Sequence, residues 1–235
     1  MNLKIKIFSD GADVGEMEKA SKLGIISGFT TNPTLMKKSG ITDYKKFAFE
    51  AISKVNNLPI SFEVFSDDFE NMEKEAIIIS EWGENVYVKI PVTNTKRESS
   101  VDLIKSLDKR GIKLNITAIL TLNQVQDLFD SLNENSKSII SVFAGRIADT
   151  GVDPIPIMKK AKSILSPKRN LELLWASSRE LLNIFQAQEC GCDIITVTND
   201  LLKKLKMVGT DLGDLSLETV KMFYNDAKSA GYRIL

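Results

Sequence analysis

The stretch Val86-Tyr87-Val88-Lys89-Ile90-Pro91-Val92 decides how this chain folds. It is rich in β-branched residues, shows no alternation with polar ones and runs into a proline, as a short buried strand of a parallel sheet does. Lys89 breaks the pattern. An unpaired ammonium in an apolar run costs roughly several kcal/mol in lost hydration. Either a buried carboxylate answers it, or burial lowers its pKa from ~10.4 until the amine is neutral and nucleophilic. The third reading is an edge strand with a solvated lysine, and the stretch alone leaves all three open.

Outward from it, short apolar strands alternate with amphipathic helical patterns along the whole chain. Strands are predicted at 5–9, 28–30, 59–63, 86–90, 113–117, 139–143, 172–176 and 194–197. Helices are predicted at 13–23, 42–55, 67–82, 96–110, 121–132, 154–165, 178–188 and 200–205. Capping chemistry marks several starts, with Asp13 three residues before Glu16 and Asp153 before Pro154; Gly24 and Gly111 mark stops. Eight strand–helix units predict an α/β fold, a closed (β/α)8 TIM barrel. A doubly wound open sheet is the alternative, but no G-x-G-x-x-G turn follows the first strand. Beyond the eighth unit, Ser216 is read as the cap of an additional C-terminal helix over 217–229. Leu217, Val220, Phe223, Tyr224 and Ala227 lie along one side of it. The organisation expected is one barrel domain over 1–235, with 215–235 as a helical extension.

Composition narrows the chemistry. The 31 basic and 31 acidic residues balance to zero, so neither nucleic acid nor a membrane surface is an expected partner. Apolar runs stay far below the ~20 residues that span a bilayer, and the chain opens on a strand-like segment rather than a signal peptide. Cys190 and Cys192 sit too close for an ordinary bridge and suggest a reducing, cytoplasmic setting. Histidine is absent. That removes Ser-His and Cys-His nucleophiles, imidazole bases and His-built zinc sites, and no metal or other cofactor is expected. Acid–base work falls to Asp, Glu, Lys, Tyr or Cys.

In a barrel, alternate side chains face the axis and reactive groups gather at the C-terminal ends of the strands. Ser61 and Glu63 share one face of their strand, as do Asn115 and Thr117, and Ser141 and Phe143. Lys89 opposes Val88 and Ile90, and Asp10 follows the first strand on the face away from Ile5 and Ile7. The apolar sets can face the helices and the polar sets the axis. Lys4 and Lys6 share the face of Asp10, so the first strand must be short, or its start must open to solvent at the barrel floor.

A neutral lysine amine condenses with a ketone to an iminium, which draws electrons from the neighbouring C–C bond. Asp10 is the candidate to carry protons to and from a sugar hydroxyl, and Glu63 with Thr117 could hold a water for imine formation. Arg146, and Ser177 with Arg179, stand after the sixth and seventh strands, where phosphate sites of barrels lie. Plainer roles fit too: Asp10 as a helix cap, Glu63 as an ion-pair partner of Lys89, Arg146 as a surface residue, Asn115 and Ser141 as hydrogen-bonded barrel filling.

The chain resembles the short bacterial-type transaldolases and the similar fructose-6-phosphate aldolases. The likeness rests on Ser9 to Val14, Gly28 to Pro33, Val88 to Thr93, Asn115 to Thr117, Phe143 to Ile147, Ala176-Ser177 and Gly191-Cys192, in the family's order. It implies the Schiff-base lysine at Lys89, acid–base catalysis by Asp10, and a catalytic water on Glu63 and Thr117. It also implies Thr30, Asn32 and Asn115 on substrate hydroxyls, with Ser141, Phe143, Arg146, Ser177 and Arg179 around the sugar or its phosphate. Phosphorylated sugars are the implied substrates, in carbohydrate metabolism of the pentose phosphate type. A ring-forming homo-oligomer, pentamer or decamer, is the implied assembly, its last helix docked on a neighbour. Glu63 and Phe143 match the transaldolase pattern, where aldolase-type members carry Gln and Tyr. The charged segment 94–100 departs from the family by lacking its usual glycine. A dihydroxyacetone transferase is the function expected; an acceptor-independent aldolase and a silent sugar-phosphate-binding barrel are the alternatives.

Overall fold

The computed structural model describes residues 3–235, and the chain divides into two compact units, the first ending at Leu202 and the second spanning Lys203–Leu235. In the first unit eight parallel strands close on themselves: β1 (Lys6–Asp10), β2 (Ile26–Thr30), β3 (Ile60–Glu63), β4 (Val86–Pro91), β5 (Leu114–Ile119), β6 (Ser138–Val142), β7 (Leu171–Trp175) and β8 (Ile194–Thr198). Lys6 to Asp10 pair with Ile194 to Thr198 and seal the barrel. Between the strands lie α1 (Val14–Ser21), α2 (Pro33–Lys38), α3 (Tyr44–Lys54), α4 (Phe69–Ser80), α5 (Val101–Lys109), α6 (Leu122–Ser131), α7 (Ala144–Ala148), α8 (Ile155–Leu165) and α9 (Leu182–Glu189).

Alternation sorts the core. Ile60, Phe62, Val88, Ile90, Leu114 and Ile116 face outward and are fully buried beneath helices whose apolar stripes include Ala48, Ala51, Ala76, Ile104, Leu107 and Leu128. Each such aliphatic side chain contributes ~1.5–3 kcal/mol on burial. Facing inward, Phe8, Ile139, Leu174, Ala176 and Ile194 cluster with the half-buried Tyr87 and Phe143. The inner face is therefore apolar in its lower part, and the polar lining expected from parity is confined to the C-terminal ends. Gly28 belongs to this packing, because a Cβ there would meet the Phe8 ring at 2.5 Å. At the floor Lys6 leans out to Glu172 at 2.5 Å, and Lys113 donates to the Glu84 carbonyl. Neither reaches the C-terminal mouth.

Helix starts follow the capping chemistry. Asp13 Oδ1 accepts from Glu16 N at 2.9 Å, and Thr121 with Gln124 forms a complete capping box. Asp153 instead accepts from Ile155 N at 2.9 Å, one residue beyond the proline. Two short helices, α2 and α7, arise where none is predicted. The helix predicted from residue 96 starts only at Val101, because Asn94 Oδ1 accepts from Lys96 N and Glu98 N and folds 93–99 into a turn closed by a Thr93–Ser99 bridge.

α10 (Asn199–Lys203) runs to the boundary between the units. The second unit then holds a 3-10 turn at Lys204–Met207 and α11 (Leu212–Ser229). Ser216 does not cap that helix. Asp211 does, accepting from Gly213 N at 2.8 Å and Asp214 N at 3.1 Å, so the helix starts five residues earlier than predicted and Ser216 lies inside it. None of its residues is buried. No helix of the described residues is long and apolar enough to cross a membrane.

Candidate active site

At the C-terminal ends of the strands the inward side chains bound a cavity of 530 Å³. Asp10 (β1), Thr30 (β2), Glu63 (β3), Lys89 (β4), Thr117 (β5) and Ser141 (β6) line it, together with Asn32, Phe143 and Ser177 from the loops that follow and Arg146 from α7. Reactive groups at the carboxyl ends of many strands are what this barrel architecture offers.

Lys89 is 7% exposed, and two oxygens answer its charge. Glu63 Oε2 lies 3.1 Å from Nζ, and the Thr31 carbonyl accepts from Nζ at 3.0 Å. The structure supplies the buried carboxylate partner and excludes the solvated edge strand. Register explains the pair, since Glu63 and Lys89 are opposed on β3 and β4. Glu63 is itself braced by its backbone, whose carbonyl accepts from the Tyr44 hydroxyl at 2.9 Å.

Asp10 accepts from Thr30 Oγ1 at 2.8 Å. Burial pushes its carboxyl above the ordinary value and outweighs the opposing pull of the Lys89 charge and of the Thr30 hydrogen bond; nearby Glu63 adds to the rise. Asp10 caps no helix, for Asp13 takes that role. Opposite, Thr117 Oγ1 is buried without a hydrogen-bond partner among the described residues. An unpartnered buried hydroxyl on a cavity wall is a natural seat for a water or a substrate hydroxyl.

Two lining residues other than glycine are left-handed, Ala118 at φ 61° and Ser177 at φ 64°. Such conformations cost about 1–3 kcal/mol each and concentrate at functional sites. Ala118 lies in a register shift between Ile116 and Ile119, a bulge that turns the end of β5. Ser177 is crowded against α7, where a Cβ on Gly145 would stand 1.6 Å from the Ser177 carbonyl oxygen. Only glycine fits there. Arg146 sits on the same short helix, with its guanidinium carbon 5.8 Å from the Phe143 ring centroid.

Two residues singled out from the sequence do not reach the cavity. Asn115 is wholly buried below it, donating to Ser61 Oγ at 2.9 Å and accepting from Ser141 Oγ at 2.6 Å, so its amide links three strands. Arg179 turns to the surface, where Asp149 holds it through Nε at 2.9 Å and Nη2 at 2.5 Å; Nη1 donates to the Ser177 carbonyl at 3.2 Å. Asn32 lines the cavity, but its Oδ1 is engaged as the cap of α2 by Leu35 N. Sequence reading missed Thr196, Leu174 and Leu120 on the cavity wall. Parity on β8 places Thr196 beside Ile194 on the inner face and was the one signal that could have found it. Among the described residues no group of three or more His, Cys, Asp or Glu side chains could hold a metal ion.

A family model described as Transaldolase/Fructose-6-phosphate aldolase matches residues 7–234. A probable transaldolase of Thermoanaerobacter sp. is 34% identical over 231 residues, covering 98% of this chain and 100% of its own. Another, from Carboxydothermus hydrogenoformans, is 35% identical over 202 residues, covering 86% of this chain and 90% of its own. Among solved structures, dihydrodipicolinate synthase from Rhodopseudomonas palustris matches with a TM-score of 0.54 at 12% identity, covering 83% of this chain and 72% of that one. At that identity the likeness shows the barrel alone.

Proposed function

The chain belongs to the transaldolase/fructose-6-phosphate aldolase family, and from that premise we propose that it moves a dihydroxyacetone unit from a ketose phosphate to an aldose phosphate through an imine on Lys89. The observation that carries this reading is a buried amine paired with Glu63 in a cavity that also holds the buried carboxyl of Asp10.

Glu63 is positioned to take the ammonium proton, which frees the amine to attack the C2 carbonyl of the donor. The carbinolamine loses water to the iminium, with Glu63 and the unpartnered Thr117 hydroxyl holding the water that relays protons. Asp10 as carboxylate removes the proton from the C4 hydroxyl. The C3–C4 bond breaks, its electrons pass to the iminium nitrogen to leave an enamine, and the aldehyde departs. The enamine then attacks the acceptor aldehyde, Asp10 returns the proton to the new alkoxide, and water hydrolyses the imine. Arg146 and Ser177 take the phosphate, and Thr30, Asn32 and Ser141 the sugar hydroxyls. Asn115 serves from below by fixing Ser141 and Ser61. The Phe143 ring has no proton to give, so the enamine waits for an acceptor rather than leaving as free dihydroxyacetone.

In this reading the whole chain is one barrel domain with a helical extension, acts in the cytoplasm and assembles as a ring-forming homo-oligomer through α11. Borohydride with fructose 6-phosphate should trap a covalent adduct that Lys89→Met abolishes; trapping that survives the substitution removes Lys89 from the mechanism. Release of free dihydroxyacetone with and without erythrose 4-phosphate separates transfer from simple cleavage. Release unaffected by the acceptor overturns the transferase reading.

A further inference from the structure

The hydroxyl of Thr196 on β8 lies 2.5 Å from that of Thr30, and Thr30 donates to Asp10 Oδ1 at 2.8 Å. A threonine hydroxyl carries a single hydrogen. Thr30 gives its own to Asp10, so the hydrogen in the other contact comes from Thr196, and the chain of donors runs Thr196 to Thr30 to Asp10. Both threonines are buried, at 3% and 6% exposure, in the wall of the cavity, where each hydroxyl already has a protein partner. A hydroxyl that is itself receiving a hydrogen bond donates more strongly to a carboxylate. Thr196 is also held in place: it pairs with Phe8 across the β1–β8 seam, and its carbonyl accepts from Ser178 Oγ at 2.9 Å.

We infer that Thr196 is a positioning residue for the transfer reaction, aiming the Thr30 hydroxyl at Asp10 and supporting the carboxylate that takes the substrate proton. The inference rests on the reading of Asp10 as the acid–base group. The charged groups that face Asp10 are Lys89 from β4 and Glu63 from β3. From the two neighbouring strands, β2 and β8, neutral hydroxyls face it. The hydrogen bonds lead from Thr196 to Asp10 by way of Thr30, so the influence of Thr196 is on proton transfer and not on imine formation.

Thr196→Val removes the donor and keeps the shape; Thr196→Ser returns the hydroxyl. Rate against pH is measured for the donor–acceptor reaction, beside borohydride trapping as a separate readout of the imine. Thr196→Val should trap the donor normally yet lose roughly tenfold in kcat, a part of the about 10²–10⁴-fold that a positioned acid–base group supplies. Its acid limb should move to higher pH, because the Asp10 carboxylate loses support. Thr196→Ser should stay within about twofold of the parent with an unmoved limb. Thr196→Ala repeats the loss of the hydroxyl with less demand on packing and should show the same shift. A parental rate and pH profile in both Thr196→Val and Thr196→Ala overturns the inference. So does a Thr196→Ser enzyme as impaired as Thr196→Val, which reports packing rather than the hydroxyl. Asp10→Asn tells the two levels apart: a dead Asp10→Asn with Thr196→Val and Thr196→Ala both unaffected overturns the Thr196 inference alone, whereas an active Asp10→Asn overturns both.

Discussion

At the scale of single residues, Asp10 shows what the cavity costs the fold. Burial raises its carboxyl above the unfolded value, so the native state is favoured by this group only while it is protonated. That favour is complete below the ordinary carboxylate pKa and is lost as pH rises through the raised one. Asp10→Asn, which cannot ionise, should therefore melt higher than the parent at pH 7, with the gap closing as pH falls towards 4; a gap that widens in acid would contradict the burial argument. Phe143→Tyr is a second case. It places a phenol on the cavity wall, and acceptor-independent release of dihydroxyacetone should rise by roughly tenfold or more, as a positioned proton donor does. Lys89 could be found in the sequence because a charge inside an apolar strand has few innocent explanations. Thr196 was marked by parity on β8 alone, a weak signal because threonine suits either face of a strand, and Asn115 looked like a ligand because parity gives the face but not the depth along the axis.

Among the elements, β6, α7 and the turn after β7 form one tightly fitted unit. Gly145 leaves room for the Ser177 carbonyl, which Arg179 also grips. Gly145→Ala must part these segments. A loss of about 2–3 kcal/mol is expected from overpacking of this kind, or roughly 4–12 °C in Tm for a chain of this size. KM for a phosphorylated ketose should rise more than KM for an unphosphorylated one, and equal changes in the two would deny Ser177 its part in phosphate binding. The eight long helices were legible from their apolar periodicity. α2 and α7 span six and five residues, too few for a full apolar period, and their existence depends on loops closing over the barrel mouth. Likewise the turn at 93–99 hangs on the hydrogen bonds of one buried asparagine, Asn94, which no spacing announces.

For the whole molecule, closure of the barrel was legible from eight strand–helix alternations together with the lack of a G-x-G-x-x-G turn after the first strand, which told against an open sheet. In the proposed assembly α11 is the docking element, with Val220 and Phe223 60% and 63% exposed on an 18-residue helix. Replacing both with Asp should lower the sedimenting mass to that of a monomer of 26.2 kDa while leaving borohydride trapping on Lys89 intact. A mass unchanged by the pair of substitutions would move the interface elsewhere. The seam between β1 and β8 has a consequence for biosynthesis. Lys89 and Glu63 lie on neighbouring strands and meet as soon as that part of the sheet forms, but Thr30 meets Thr196 across 166 residues. A nascent polypeptide still on the ribosome thus carries Lys89, Glu63, Asp10 and Thr30 long before Thr196 is made, and the proposed hydroxyl relay to Asp10 is completed only when the last strand emerges to shut the ring.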